Sequence, residues 1–405
     1  MNEQQIIETE NRYLANVFSK KPVVLTSGKG ALLWDLNGKE YVDCSSSYGV
    51  AALGHCHPKI VKAIKTQAEQ LINCHGTYYN NKRAEFIEKL INITPPGLNK
   101  AFLSNSGAES VECAIKLARK VTSKTEIIAL MGSYHGKTMG ALSATWDKKY
   151  RDPFGPLIPD IKHVAPDNPD KIREAITDKT AAILIEPIRG EGGIRVPPDG
   201  YLQKVQEICA KHGVLLIFDE VQTGFGRTGK LFGCQNWNVI PDIMCLAKPF
   251  AGGLPIGITV AKESHMSMFK TGEHSTTFSG SPIVCAAGCA AIDVLIEEKL
   301  ANKAALNGKY FKTQLEVLAA KHKIVKEIRG LGLMLGMELR YEVYGILLKA
   351  LKRGVLLVDA GRTVVRLLPP LIITKPQIDY VITILDAVLE EEENERTNSS
   401  GTVSN

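Results

Sequence analysis

Short runs of apolar residues alternate with amphipathic stretches between about residues 100 and 260. The apolar runs lie at 101–104, 126–132, 181–188, 214–220 and 256–261. The segments between them, such as SVECAIKLARKV and DGYLQKVQEICAKHG, carry apolar residues at helical spacing. Continuous apolar strands separated by helices predict an α/β fold with a mainly parallel sheet that helices cover on both faces. Such sheets bind ligands beyond the carboxyl ends of their strands.

The pattern changes after residue 300, where long helical stretches precede VKEIRGLGLMLGMEL, VLLVDAG and TVVRLLPP. This texture predicts a separate, smaller α+β domain. We therefore divide the chain into an N-terminal segment (1–50) that joins the small domain, a large domain (51–300), a C-terminal small domain (301–390) and a tail (391–405). The tail is polar and has no apolar anchor, so we predict that it is disordered.

The composition is that of an ordinary globular protein, with 405 residues, 44% hydrophobic and 23% charged. The chain has no run of 18 apolar residues and its N-terminus has no basic, apolar signal pattern. Nine scattered cysteines form no C-x-x-C pair, which predicts reduced thiols in the cytoplasm and no metal site. The net charge is +6, and the basic residues form no stripe with interleaved aromatic residues. We therefore expect neither nucleic-acid nor membrane binding. A positive surface does attract small anions or an acidic protein.

An acid and an amine follow two neighbouring apolar runs. VLLIFDE contains Asp219, and VIPDIMCLA is followed directly by Lys248. An aldehyde cofactor needs such a pair, because the amine forms the Schiff base and a carboxylate keeps the cofactor's pyridine nitrogen protonated. The alternative for each residue alone is a helix N-cap for Asp219 and a surface lysine for Lys248. The glycine-rich segments that follow both residues favour the paired interpretation.

Three further stretches carry candidate chemistry. SNSGAES (104–110) follows a predicted strand and precedes a helix, where free backbone N–H groups bind phosphate. GSYHGKTMGALSAT (132–145) offers Tyr134 to stack on a flat ring and Lys137 to meet an anion. HSTTFSGSP (274–282) offers hydroxyl groups to a phosphate. Each stretch alone is equally well explained as an N-capping turn or a surface loop.

The stretches together resemble a known family. The motifs GHCHPKIVKA, SNSGAES, SYHGKT, EPIRGEGG, IFDEVQTGFGRTG, LAKPFAGG, HSTTFSGSP and VVRLLPPL occur in the order found in class III, fold-type I pyridoxal-phosphate aminotransferases. The resemblance covers residues 10–390. It implies pyridoxal 5′-phosphate as the cofactor and an amino-group transfer as the reaction.

The resemblance also implies how the chain holds the cofactor ring. Lys248 is the lysine that binds the aldehyde and later carries the proton, and Asp219 is the partner of the pyridine nitrogen. Gln222 contacts the ring hydroxyl, while Val221 and Tyr134 cover the two ring faces.

The same resemblance assigns the cofactor phosphate and the assembly. Ser106, Gly107 and Ala108 form the phosphate cup. Thr277 contacts the phosphate bound by the neighbouring subunit, so the active unit is expected to be a homodimer.

Substrate recognition is implied for a smaller set of residues. Arg366 resembles the arginine that binds the α-carboxylate of glutamate and 2-oxoglutarate, and Glu191 the acid that pairs with it when the amine donor is bound. Tyr48 and Thr276 are expected to line the substrate pocket. Lys137 stands where many relatives have arginine, and a lysine is a point charge without the two-pronged guanidinium geometry.

The segments SATWDKKYRDPF and VDAGRTVVRLLPPLIITK favour one branch of the family. This branch acts on acetylornithine, or on lysine and ornithine precursors linked to an acidic amino-group carrier protein, in arginine and lysine biosynthesis. Ornithine, putrescine and 4-aminobutyrate aminotransferases remain alternatives. A lyase or aminomutase on the same cofactor is a remote alternative, since fold does not fix function.

Overall fold

A seven-stranded sheet forms the centre of the computed structural model, which describes the backbone of residues 1–401 and the side chains of residues 1–397. The described strands, in chain order, are Leu25–Lys29 (β1), Leu32–Asp35 (β2), Glu40–Asp43 (β3), Lys100–Ser104 (β4), Glu126–Leu130 (β5), Ile161–Val164 (β6), Thr180–Ile185 (β7), Leu215–Asp219 (β8), Ile243–Ala247 (β9), Gly257–Ala261 (β10), Val325–Leu331 (β11), Met334–Leu339 (β12), Val355–Leu356 (β13), Val358–Asp359 (β14) and Val364–Leu367 (β15). The strand order of the central sheet is β4-β10-β9-β8-β7-β5-β6.

The helices cover this sheet and extend from it. In chain order they are Glu3–Tyr13 (α1), Ser46–Gly49 (α2), Pro58–Ala68 (α3), Asn81–Ile93 (α4), Gly107–Thr122 (α5), Met139–Ala144 (α6), Lys148–Arg151 (α7), Pro169–Ala175 (α8), Tyr201–His212 (α9), Glu263–Met266 (α10), Pro282–Glu297 (α11), Leu300–Lys321 (α12), Tyr344–Lys352 (α13) and Lys375–Gly401 (α14). Helix α5 packs on β9 and β10 through Val111, Ala114 and Ala118, which recur at helical spacing and are fully buried.

The central sheet confirms the predicted α/β class. Strands β5, β7, β8 and β9 are buried at every position and run parallel to one another. Strand β10 is the exception, since it pairs antiparallel with both β4 and β9. Only residues 248–256 connect β9 to β10, which is too short for the helical crossover that a parallel neighbour requires.

Two four-stranded sheets complete the fold, with the orders β1-β2-β3-β13 and β11-β12-β15-β14. In the first, β13 pairs in parallel with β3, with Val355 opposite Val42 and Leu356 opposite Asp43. The N-terminal segment therefore shares a sheet with residues that follow position 300. The exact domain boundaries at residues 50 and 300 remain predictions.

The predicted disordered tail differs from the structure throughout its described part, residues 391–401. Helix α14 continues through Gly401, although disorder was expected from residue 391. Its acidic residues form ion pairs with basic side chains at and just after α13. Lys349 Nζ lies 2.9 Å from Glu392 Oε2, and Arg353 Nη2 lies 2.6 Å from Glu391 Oε2. The composition alone could not reveal these partners, because they are about 40 positions away. Residues 402–405 of the predicted tail lie outside the described residues.

Candidate active site

A cavity of about 540 Å³ lies at the carboxyl ends of the parallel strands. Residues 105–108 follow β4, residues 134–137 follow β5, and Glu186 follows β7. Asp219 ends β8 and Lys248 directly follows β9. The sheet thus brings together segments that are up to about 140 positions apart in the sequence, at the edge where such sheets bind ligands.

Lys248 reaches the cavity from a strained backbone. Its φ is +57°, in the left-handed region that side chains other than glycine rarely adopt. Burial of the amine and the nearby positive charge of Arg366 lower the pKa of Lys248 to about 8. A substantial share of the amine is therefore neutral near physiological pH, as a nucleophile that attacks an aldehyde must be.

Asp219 is held by a buried histidine that the sequence analysis did not assign. His135 Nδ1 lies 2.8 Å from Asp219 Oδ2, and the Val221 amide donates to Asp219 Oδ1 at 3.1 Å. His135 is 3% exposed. Its position beside Tyr134 in SYHGKT was the only available signal, and that signal does not show where the ring points.

Glu186 is a second missed acid at the cavity wall. Its two carboxylate oxygens accept from the amides of Tyr134 and Gly190, each at 2.9 Å. Burial raises the pKa of Glu186 to about 7. The strand-end rule that identified Asp219 also applies to Glu186, which follows β7 directly.

The start of α5 forms one end of the cavity. Ser106 is its N-cap and accepts from the Glu109 amide through Oγ at 3.2 Å, while Ser106, Gly107 and Ala108 all line the cavity. A Cβ at Gly107 would lie 2.8 Å from Val221 Cγ1, so the close approach requires glycine. The free amides and positive end of this 16-residue helix suit a phosphate group.

Tyr134, Val221 and Gln222 line the middle of the same cavity. The buried Gln222 Oε1 has no hydrogen-bond partner within residues 1–397. A buried acceptor without a donor is costly, which indicates that a bound group supplies the donor. A cavity with a reactive amine, a fixed carboxylate, a phosphate-binding helix end and this free acceptor fits pyridoxal phosphate.

Arg366 lies on β15 and is fully buried. Its Nη2 forms an ion pair with Glu191 Oε1 at 2.8 Å, and the ring centroid of Tyr48 lies 5.1 Å from its Cζ. The ion pair lacks the directional geometry of a hydrogen bond, and none of the guanidinium nitrogens donates to another group in the described part of the chain. Its N–H groups are therefore available to a carboxylate.

The remaining predicted residues lie at the rim. Lys137 lines the cavity, and its Nζ lies 4.8 Å from the ring centroid of Tyr150, a residue that the sequence analysis did not single out. Thr276 Oγ1 accepts from the Nδ2 of Asn105, which lines the cavity and was also missed. Thr277 is exposed and is not among the residues that line this cavity.

Within residues 1–397, no group of three or more histidine, cysteine, aspartate or glutamate side chains is arranged to hold a metal ion. None of the helices in that part of the chain has the length and apolar character needed to span a membrane.

This fold and site define a fold-type I enzyme that depends on pyridoxal phosphate. The model of the class-III aminotransferase family matches residues 13–389. The chain therefore belongs to the class-III aminotransferases, as its motifs predicted.

Relatives and solved structures agree with this assignment. The chain is 48% identical over 331 residues to the acetylornithine aminotransferase of Methanopyrus kandleri, covering 82% of this chain and 84% of that protein. It is 41% identical over 392 residues to the [LysW]-aminoadipate semialdehyde transaminase of Deinococcus radiodurans, covering 96% and 91%. Its fold matches the ornithine aminotransferase of Toxoplasma gondii ME49 with a TM-score of 0.92 and 32% identity, covering 98% and 96%. The acetylornithine aminotransferase of Elizabethkingia anophelis gives a TM-score of 0.86 at 33% identity, covering 96% and 100%.

Proposed function

We propose that the protein transfers the terminal amino group of acetylornithine, or of a carrier-linked lysine or ornithine precursor, to 2-oxoglutarate. The products are a semialdehyde and glutamate, and the place of the reaction is arginine or lysine biosynthesis. One observation carries this proposal: the buried Arg366 pairs with Glu191 through a single ion pair and keeps its N–H groups available. A removable acid on a carboxylate-binding arginine suits an enzyme that accepts two different substrates in turn.

Five residues would hold the cofactor ring and act on the substrate. When bound, pyridoxal phosphate supplies an aldehyde that takes up the amino group and a ring that accepts electrons. Asp219, fixed by His135, would keep the pyridine nitrogen protonated, and Gln222 Oε1 would accept from the ring hydroxyl. Tyr134 and Val221 would cover the ring faces. Lys248 Nζ would take the proton from the carbon that bears the donor's amino group, since its pKa of about 8 suits general base catalysis near neutral pH.

The phosphate site and the assembly belong to the same proposal. The amides at Gly107 and Ala108, with the Ser106 hydroxyl, would bind the phosphate of the same chain's cofactor. The exposed Thr277 would bind the phosphate of the other subunit's cofactor, which makes the enzyme a homodimer.

Glu191 and Arg366 would act as a gate. With 2-oxoglutarate or glutamate in the site, Glu191 moves aside and Arg366 binds the α-carboxylate through two hydrogen bonds. With the amine donor in the site, Glu191 returns and neutralises Arg366. Tyr48 covers the guanidinium, and Thr276, linked to Asn105, would form part of the pocket wall.

The identity of the amine donor is the more specific part of the proposal. The names of the relatives support acetylornithine and the carrier-linked substrate. An acidic carrier protein as partner and a cytoplasmic location are proposed with them, in keeping with the positive net charge of +6. Lys137 would pair with the donor's α-carboxylate.

A donor panel tests the function. Acetylornithine, ornithine, putrescine, 4-aminobutyrate and carrier-linked lysine are each supplied with 2-oxoglutarate, and glutamate is measured. We expect the highest kcat/KM with acetylornithine or the carrier-linked donor. Best turnover with putrescine would replace this proposal by a diamine aminotransferase. Product without stoichiometric consumption of 2-oxoglutarate would indicate a lyase or aminomutase.

Substitutions at Lys137 test how the donor is recognised. Lys137→Ala should lower kcat/KM for acetylornithine by about 10- to 100-fold, the effect of one charge-assisted hydrogen bond, and leave putrescine unaffected. Lys137→Arg should retain activity or raise it, because a guanidinium binds a carboxylate with two N–H groups. Lys149→Ala is the matched control, since Lys149 Nζ also lies over the Tyr150 ring, at 4.7 Å. Equal losses with both donors would contradict the assignment of Lys137.

A further inference from the structure

The short element α2 (Ser46–Gly49) has a left-handed backbone. Its φ values are +45° at Ser46, +50° at Ser47, +59° at Tyr48 and +92° at Gly49. Three consecutive residues with side chains are thus in a conformation that costs on the order of 1–2 kcal/mol per residue. Such strain persists only where the surroundings hold it, and it concentrates at functional sites.

Asp43, the last residue of β3, holds this turn. Its Oδ1 accepts from the Ser45 amide at 2.8 Å, from the Ser45 hydroxyl at 2.6 Å and from the Ser46 amide at 3.0 Å. Ser45 Oγ accepts in turn from the Ser47 amide at 3.3 Å. The carboxylate therefore fixes the direction in which the chain enters the left-handed turn.

His55 holds Asp43 from the other side. His55 Nε2 lies 2.7 Å from Asp43 Oδ2, and Asp43 is fully buried. Burial alone would raise the pKa of Asp43, but the hydrogen bonds from His55 and Ser45 lower it below its ordinary value. The carboxylate thus stays ionised and accepts charge-assisted hydrogen bonds, which are the stronger kind. His55 is itself fixed, because its backbone pairs with Gly30.

The turn lies against both Arg366 and Lys248 in the active site. The Tyr48 ring covers the Arg366 guanidinium at 5.1 Å. A Cβ at Gly49 would lie 4.0 Å from Lys248 Cδ, and Val50 lines the cavity. The position of Tyr48 thus depends on a backbone conformation that tyrosine does not adopt by its own preference.

We propose that Asp43 and His55 are positioning residues that set the substrate specificity of the site by holding the left-handed turn, and with it Tyr48, against Arg366. The inference rests on the proposed function, in which Arg366 binds the carboxylate of 2-oxoglutarate. Neither residue touches the cavity, and both act through Tyr48. A correctly placed ring keeps water from one face of the guanidinium, which strengthens its hydrogen bonds to a carboxylate.

A double-mutant cycle tests this inference in the holoenzyme. His55→Gln should raise KM for 2-oxoglutarate by about tenfold, because Tyr48 loses its fixed position over Arg366. It should change kcat little, because Lys248 is held by the end of β9 rather than by the turn. In the Tyr48→Ala background, His55→Gln should change KM less than twofold, since the ring on which it acts is gone. The same tenfold loss in both backgrounds would overturn the inference, as would an unchanged KM in the single variant.

A matched control separates positioning from a general structural effect. His322 is also buried and bound to two acids, with Nε2 at 2.6 Å from Asp386 Oδ1, but it lies between α12 and α14. His322→Gln should lower thermal stability and leave KM for 2-oxoglutarate unchanged. If His55→Gln fails to fold, Ser45→Ala serves instead. It removes the hydrogen bond from the Ser45 hydroxyl to Asp43 and the one from the Ser47 amide to that hydroxyl. This variant should raise KM about threefold, an effect that Tyr48→Ala again cancels. An equal threefold rise in the Tyr48→Ala background overturns the inference.

Failure of the proposed function has a different signature. Wild-type enzyme that transfers no amino group to 2-oxoglutarate would contradict that function. The double-mutant cycle is then measured as the affinity of the holoenzyme for glutarate. Glutarate is expected to bind through Arg366, and its binding can be measured without any reaction. Loss of glutarate affinity in His55→Gln, absent in the Tyr48→Ala background, supports the positioning role, and additive losses overturn it.

Discussion

At the scale of single residues, the amine of Lys248 lies in surroundings that oppose its protonation. Burial and Arg366 lower its pKa to about 8 from the usual 10.5. The folded protein therefore binds this proton less readily than the unfolded chain does. The stability lost in this way is greatest below pH 8 and disappears as the pH rises from 8 to 10.5.

The destabilisation by the protonated Lys248 amine gives a first prediction, for the apoenzyme. Lys248→Met keeps the side-chain volume and removes the amine, so it should stabilise the apoenzyme at pH 7 by about 3 kcal/mol, from roughly 1.4 kcal/mol per pKa unit. Urea unfolding at pH 7 and pH 10.5 measures it, and the difference between wild type and variant should shrink at the higher pH. If the wild-type apoenzyme is as stable as the variant at pH 7, the charged amine does not destabilise the folded protein. The variant should have no transaminase activity.

The ion pair of Arg366 and Glu191 gives a second prediction, because the proposed function assigns each residue to one half of the reaction. Arg366→Ala should slow the half-reaction with 2-oxoglutarate by at least about 100-fold, the loss of two charge-assisted hydrogen bonds, and largely spare the half-reaction with the donor. Glu191→Gln should do the opposite, because Arg366 then stays charged and unpaired when the donor binds. Single-turnover spectra of each half-reaction measure both effects.

A control and a contradicting result complete this prediction. Arg329 is another buried arginine, and it pairs with Glu338 at 2.6 Å rather than with Glu191. Arg329→Ala should lower stability without favouring one half-reaction. Equal damage to both half-reactions in Arg366→Ala and Glu191→Gln would reduce their contact to a structural ion pair.

At the scale of secondary-structure elements, the left-handed turn α2 predicts that one substitution raises stability and weakens the binding of 2-oxoglutarate. Ser47 is exposed and has a φ of +50°, which glycine adopts without strain. Ser47→Gly should therefore raise the free energy of unfolding by about 0.5–1 kcal/mol. The same change frees the turn, so KM for 2-oxoglutarate should rise. Chemical denaturation and steady-state kinetics check the two effects, and a fall in stability would show that the turn is not strained at Ser47.

Sequence patterns predicted the strands and their chemistry where one local rule was enough. Asp219 and Lys248 could be paired because each follows an apolar run, and parallel strands place their carboxyl ends at one edge. The direction of β10 was not predicted, since it depends on the length of its connection rather than on its own residues. His135 was missed because its importance comes from its contact with Asp219, a distant residue. Glu186 fits the strand-end rule and was overlooked, and only the structure shows that it accepts from the amides of Tyr134 and Gly190.

The whole molecule adds a prediction about assembly, through the exposed Thr277. In the proposed homodimer, Thr277→Asp would place a negative charge beside the cofactor phosphate of the other subunit. This variant should therefore lose cofactor, and Lys248→Ala should lose turnover. In a mixed dimer one site combines Lys248 and Thr277 from different chains and is intact. Mixing the two inactive variants under conditions of subunit exchange should therefore restore activity, up to about one site per mixed dimer.

Native mass spectrometry provides the control, because it shows whether mixed dimers have formed. Each variant incubated alone should stay inactive. Mixed dimers without any recovery of activity would place Thr277 at the site of its own chain. A protein that remains monomeric would contradict the homodimer.

The division of the site between separate sheets affects how such an enzyme can diverge. The groups proposed to hold the cofactor ring and the phosphate of the same chain's cofactor lie at the strand ends of the seven-stranded sheet. Arg366 lies on β15 in a different sheet, and Tyr48 lies on the N-terminal segment. Substitutions on these latter elements can change which carboxylate is accepted while the geometry around Lys248 and Asp219 is preserved. New donors and acceptors are thus accessible by few mutations, and a laboratory search for altered specificity should concentrate on residues 43–50 and 358–368.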